Sequence, residues 1–143
     1  MIDRDLVTRK MVLITGDVNA LAPFAAKPLA DYLRSETDEM VVERRLERII
    51  GRMIDINYHL ITEAEQPPPP DYYDSFVQLG RLGILPVAFA SEIAACAGLR
   101  NRIVHEYDEI DPARVHEALQ VAMKDVPAYL AHVQEHLGRI APG

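Results

Sequence analysis

Residues 42–60 read VERRLERIIGRMIDINYHL, and their spacing decides the fold. Val42, Leu46, Ile49, Met53, Ile56 and Leu60 step by four and three, which puts them on one stripe of a helix. The same steps recur upstream at Val7, Met11, Ile14, Val18 and Leu21. Downstream they return at Val115, Leu119, Ala122, Val126, Tyr129, Val133 and Leu137. Stripes of this kind are buried seams between helices. Period-2 runs of β-branched and aromatic residues are missing from the sequence, and so are Asn-Gly or Asp-Gly hairpin turns. The expectation is an all-α bundle.

Boundary residues divide the chain further. Pro23 and Pro28 should break the first helix and leave a short one around Leu29 to Arg34. Thr37 or Asp38 can cap the long helix that carries the 42–60 stripe, with Glu39 and Glu43 near its positive end. Pro67 to Pro70 must stop it and read as a stiff polyproline connector. Asp71 can cap a helix to about Leu82, with Gly83 suited to its C-terminal turn. Pro86 fits the first turn of a helix running to about Tyr107. Asp111-Pro112 opens the last long helix, which Pro127 should kink and Gly138 can end.

Composition narrows the class. A chain of 143 residues is one domain of ordinary size, able to bury a core without disulfides or a structural metal. Hydrophobic residues make up 49% and charged residues 26%, which excludes a disordered chain. No apolar run reaches the ~18 residues of a membrane span, and the N-terminus leads into no signal-peptide core, so a cytoplasmic protein is expected. Cys96 is the one cysteine, which rules out an internal disulfide or a CxxC site; among Ala94, Ala95 and Ala97 it reads as a buried small hydrophobe. The net charge of −7 argues against broad electrostatic binding to nucleic acid. Any RNA contact needs a local basic pocket.

The densest polar cluster is Arg100-Asn101-Arg102-Ile103-Val104-His105-Glu106-Tyr107. At roughly 100° per residue, Asn101 and His105 share one face while Arg100 and Tyr107 lie along another. Arg102 and Glu106 are spaced for an i,i+4 pair. A guanidinium, an imidazole and a phenol thus stand at one helix end, within reach of a shared cleft. A guanidinium binds phosphate bidentately and histidine moves protons near neutral pH. That pairing suits attack of a 2′-hydroxyl on the adjoining phosphodiester, which needs a base, an acid and charge stabilisation at phosphorus. The other reading is a solvated helix end whose His and Arg favour the negative end of the dipole. Spacing leaves both open.

Three other clusters have simpler readings. His132-Val133-Gln134-Glu135-His136 matches the H-x-x-E-H pattern of a zinc peptidase class, but no third ligand follows, so no metal is expected. Arg44, Arg45, Arg48 and Arg52 stand beside Glu43 and Glu47 and read as i,i+4 pairs on a solvated face, or as the lining of an RNA path. Asp55-Ile56-Asn57-Tyr58-His59 sets polar groups beside the apolar stripe, where hydrogen bonds satisfying the core are the default.

Arg100 to Tyr107 forms an R-x4-H-x-Y motif that resembles that of the HepT toxins in the HEPN superfamily. The resemblance spans nearly the whole chain, from Val42-Glu43-Arg44-Arg45-Leu46 and Asp55-Ile56-Asn57-Tyr58-His59 through the proline connector and Asp71-Tyr72-Tyr73-Asp74-Ser75-Phe76 to Gly98-Leu99-Arg100-Asn101 and Val104-His105-Glu106-Tyr107. It implies one HEPN-like domain over 1–143, an up-and-down helical bundle, homodimeric, with two motifs facing one cleft. It further implies a metal-independent ribonuclease toxin of a type II toxin–antitoxin pair that needs no cofactor. By position, Arg100 and His105 become catalytic, Asn101 and Arg102 supporting. Tyr107 becomes the acceptor of AMP from ATP, delivered by a minimal nucleotidyltransferase antitoxin. The alternative is a non-catalytic nucleotide-binding or regulatory subunit of a nucleotidyltransferase.

Overall fold

The computed structural model describes residues 2–106 and 108–140. Among them lie seven α-helices and no strand: α1 (Arg4–Ala25), α2 (Leu29–Leu33), α3 (Glu36–Glu63), α4 (Tyr72–Arg81), α5 (Val87–Ile93), α6 (Ala95–His105) and α7 (Pro112–Arg139). The long α3 is the central element, packing against α1, α4, α6 and α7. Its whole stripe from Val42 to Leu60 is buried, and Val7, Ile14, Val18 and Leu21 meet it from α1. From α7 come Val115, Leu119, Val126, Tyr129, Val133 and Leu137. Met11 and Ala122 are the two stripe members only half-buried, at the edge of the same core.

Several boundaries differ from expectation. Pro23 stands inside α1 instead of ending it. So close to the C-terminus it removes one N–H, while Ala26 still donates to the Ala22 carbonyl at 3.1 Å. Neither Thr37 nor Asp38 caps α3: Ser35 does, accepting from the Asp38 amide at 3.1 Å. That helix ends at Glu63, ahead of the prolines, because Glu65 turns left-handed at φ 59° and lets the Gln66 amide reach back to Ile61. The expected helix from Pro86 to Tyr107 is two, broken at the buried Ala94. Here α5 lies so close to α4 that a Cβ on Gly80 would meet Ala90 Cβ at 2.9 Å, while α6 turns to follow α3. α7 continues through Pro127 and past Gly138.

Other signals behave as read. Asp71 caps α4 by accepting from the Asp74 amide at 2.7 Å, and Gly83 at φ 74° closes the turn after it. Asp111 caps α7 with Pro112 in the first turn. Asn57 sits at the centre of a buried polar knot: it donates to Ser75 Oγ at 3.1 Å and accepts from Tyr129 Oη at 2.6 Å. Tyr58 Oη donates to the Pro69 carbonyl at 3.4 Å, which ties the proline connector to α3.

Candidate active site

α6 buries Ala97, Leu99 and Ile103 against the core, and this choice of face sets where its polar residues point. Arg100 is half-buried and leans toward α3 and α4. Its guanidinium carbon stands 5.3 Å from the centre of the Tyr72 ring, a cation–π contact with the first residue of α4. Tyr72 in turn meets the Tyr58 ring edge-on at 6.2 Å. Burial, then the neighbouring Tyr72, Asp71 and Asp74, push the Tyr58 phenol up, so it remains a neutral donor.

Beneath Arg100 opens a cleft of about 560 Å³. Arg48 and Arg52 line its α3 side, Tyr58 and Tyr72 its aromatic wall. The one carboxylate in the lining, Asp55, pairs with Lys10 at 3.1 Å. Behind the arginines lies Asp17 of α1, 3% exposed. Its two oxygens accept from Arg45 Nη1 and Arg52 Nη1, each at 2.7 Å, and Arg48 Nε stands 3.7 Å away. The arginines of α3 are therefore not a solvated face of i,i+4 pairs. Only Arg44 pairs along its own helix, with Glu47 at 3.3 Å. The other three converge on a carboxylate contributed by α1. A chain of net charge −7 thus concentrates Arg48, Arg52 and Arg100 around one hollow.

The remaining motif residues go elsewhere. Asn101 and His105 are exposed and share the solvent face at the end of α6; neither lines the Arg100 cleft. Arg102 is also exposed and borders a groove against α7 together with Glu106 and Arg114; among the ion pairs of the described residues, the expected one with Glu106 is not found. A single cleft holding guanidinium and imidazole is therefore not assembled within this one chain. α6 ends at His105, with the Glu106 amide donating to the Arg102 carbonyl at 2.8 Å, and Tyr107 lies outside the described residues. Cys96 faces another groove, of about 490 Å³, shared with Asp125; although part of its surface shows, close packing around the sulfur pushes the thiol up to about 12. In the H-x-x-E-H segment, His132 lies against the Phe89 ring at 5.3 Å and Glu135 pairs with Arg139 at 3.6 Å. Sequence reading missed Asp17, although a signal was there: it falls three residues after Ile14, on the buried stripe. An acid in that position needs a cation.

Comparison with known proteins accords with this architecture. The family profile described as Ribonuclease HepT-like matches residues 14–133. The "tRNA nuclease HepT" of Aphanizomenon flos-aquae is 34% identical over 132 residues, covering 92% of this chain and 90% of the relative. Two solved structures share the fold. One is the tri-AMPylated HEPN toxin of Shewanella oneidensis in complex with an MNT antitoxin, with TM-score 0.83, 20% identity, and 92% and 98% of the two chains covered. The other is the cytosolic protein of unknown function YutE from Bacillus subtilis, with TM-score 0.86, 14% identity, and 99% and 96% covered. The matched profile and the full-length relative place this chain in the HepT-like ribonuclease family.

Proposed function

We propose that this HepT-family ribonuclease is the toxin of a toxin–antitoxin pair, one HEPN-like domain over residues 1–143, and that it cleaves RNA in the cytoplasm without a metal ion. The observation that carries the reading is Arg100, held over Tyr72 at the mouth of an arginine-lined cleft in an otherwise acidic protein. A planar guanidinium on a ring face is pre-oriented for bidentate contact with a phosphate. In the proposed reaction His105 takes the proton of the 2′-hydroxyl as its oxygen attacks phosphorus. The P–O5′ bond breaks, the 5′-oxygen receives a proton, and a 2′,3′-cyclic phosphate remains. Arg100 bears the charge that develops on the phosphoryl oxygens.

The reaction wants both a base and an acid, and each chain offers one histidine in the motif. We therefore take the working form to be a homodimer in which a twofold axis joins two α6 ends. The exposure of Asn101 and His105 beyond the cleft supports this reading, since those side chains are free to face a second copy. Light scattering tests it: an active monomer rules it out.

The antitoxin is taken to be a minimal nucleotidyltransferase that transfers AMP to Tyr107, as the motif suggests and as the AMPylated state of the Shewanella relative supports. A phosphate and a nucleotide placed there would compete with RNA for Arg100. Intact-mass measurement after incubation with ATP and the partner should show AMP-sized increments on the wild type and none on Tyr107→Phe. Expressed without its partner, the wild type should arrest growth and His105→Ala should not. Equal growth of both would favour a non-catalytic subunit instead.

A further inference from the structure

Three of the four α3 arginines fall at 45, 48 and 52, one stripe of the helix, and a single buried carboxylate serves all three. One negative charge cannot neutralise three guanidiniums. The surplus is presented where Arg48 and Arg52, 40% and 20% exposed, enter the cleft. The same cleft is lined by the paired rings of Tyr58, further along α3, and Tyr72, at the start of α4. Beside the two arginines the lining includes Gly51, in the interior of a 28-residue helix. A Cβ there would meet nothing within 4 Å, so no packing demand calls for glycine, and any larger side chain would project into the hollow. Glycine is also the poorest ordinary helix former, so its presence works against α3 itself.

We propose that this cleft is a subsite for a nucleotide flanking the scissile phosphate of the RNA. Arg48 and Arg52 hold the neighbouring backbone phosphate and the tyrosine wall takes the base, while Asp17 is the positioning residue that fixes both guanidiniums. The chemistry matches a single-stranded nucleotide, which combines an anionic backbone with a π-face able to stack on aromatic rings. Arg100 connects this subsite to the reaction centre, since it stands on the same tyrosine wall and carries the motif. The inference rests on the ribonuclease reading above.

The test uses the full-length protein and a fluorescein-labelled single-stranded RNA oligonucleotide, with affinity followed by anisotropy over a range of salt. Arg48→Ala/Arg52→Ala should weaken binding at least about tenfold and reduce the salt slope by about 0.7 per lost phosphate contact. Asp17→Asn should do the same, with Asp17→Glu recovering part of the loss. Because Asp17→Asn could fail to fold, Gly51→Leu is the decisive variant. It should fold with unchanged or higher Tm yet raise KM for the oligonucleotide about tenfold, with a much smaller change in kcat. Arg44→Ala, on the same helix but outside the cleft, is the control. Unaltered affinity and KM in folded Gly51→Leu and in the double variant would overturn the subsite while leaving the ribonuclease intact. A wild type that cleaves no RNA would instead remove the ribonuclease reading. The binding arm would still decide the subsite, because it needs no turnover.

Discussion

Asp17 and Asp125 are buried to nearly the same degree, 3% and 4% exposed, one on α1 and one on α7, and they do opposite things. Asp17 is enclosed by three arginines and organises a cationic cleft. Asp125 borders the groove between α6 and α7; burial first, then Glu92, push its carboxyl up against the weaker pull of Lys124. α6 stands between the two regions, with Arg100 facing one and Cys96, Leu99 and Arg102 facing the other. The lesson is that burial of a carboxylate does not define its role. Its partners do: paired, it lends order to cations; unpaired, it costs stability and titrates.

If α6 divides a reactive face from a structural one, substitutions on its two sides should separate. Arg100→Lys should lower kcat/KM for RNA cleavage by about 10²-fold, since a point charge cannot replace the planar fork. Arg102→Ala, on the other face, should cost only a few-fold; equal losses would erase the division. Asp17→Asn should destabilise the fold by about 2 kcal/mol in denaturant titration. This is less than the 3–5 kcal/mol of a fully enclosed pair, because its arginines are 20–40% exposed and can rehydrate.

Asp125→Asn should move the other way. A carboxyl whose folded pKa lies above its unfolded value of 3.8 contributes stability that is complete below about pH 4 and is lost as pH rises through the folded value. The variant should therefore match the wild type in acid and exceed its Tm at pH 7, with a flatter profile between. The smallest effect belongs to Cys96. With its thiol pushed up to about 12, the native protein should resist alkylation by iodoacetamide at pH 8 and react rapidly only in denaturant. Blocking it should leave activity within about a factor of two, the lack of effect expected at a position away from the chemistry.

The contrast also marks what could be read from the chain. The stripes on α1, α3 and α7 were legible because helical periodicity is a local property of the sequence. The same holds for Asp71, Gly83 and the Asp111-Pro112 start, whose chemistry acts within a turn of its own residue. The break at Ala94 was not, because alanine is a strong helix former and the turn follows from tertiary packing around Gly80 and Ala90. The motif could be found, and Arg100 with it. The cleft could not, since Asp17 reaches Arg45 and Arg52 across 28 and 35 residues and Tyr72 meets Arg100 from a separate helix. The α3 arginines read as self-paired because Glu43 and Glu47 were adjacent, and a buried acid is a stronger partner than an exposed neighbour.

The most direct test of the central claim is cleavage of a labelled RNA by purified protein in the presence of EDTA, with the product ends identified. The expected result is undiminished cleavage with 2′,3′-cyclic phosphate termini by the wild type, and loss of about 10² to 10³-fold in Arg100→Lys and His105→Ala. Activity abolished by EDTA and restored by a divalent cation, or retained in both variants, would contradict it.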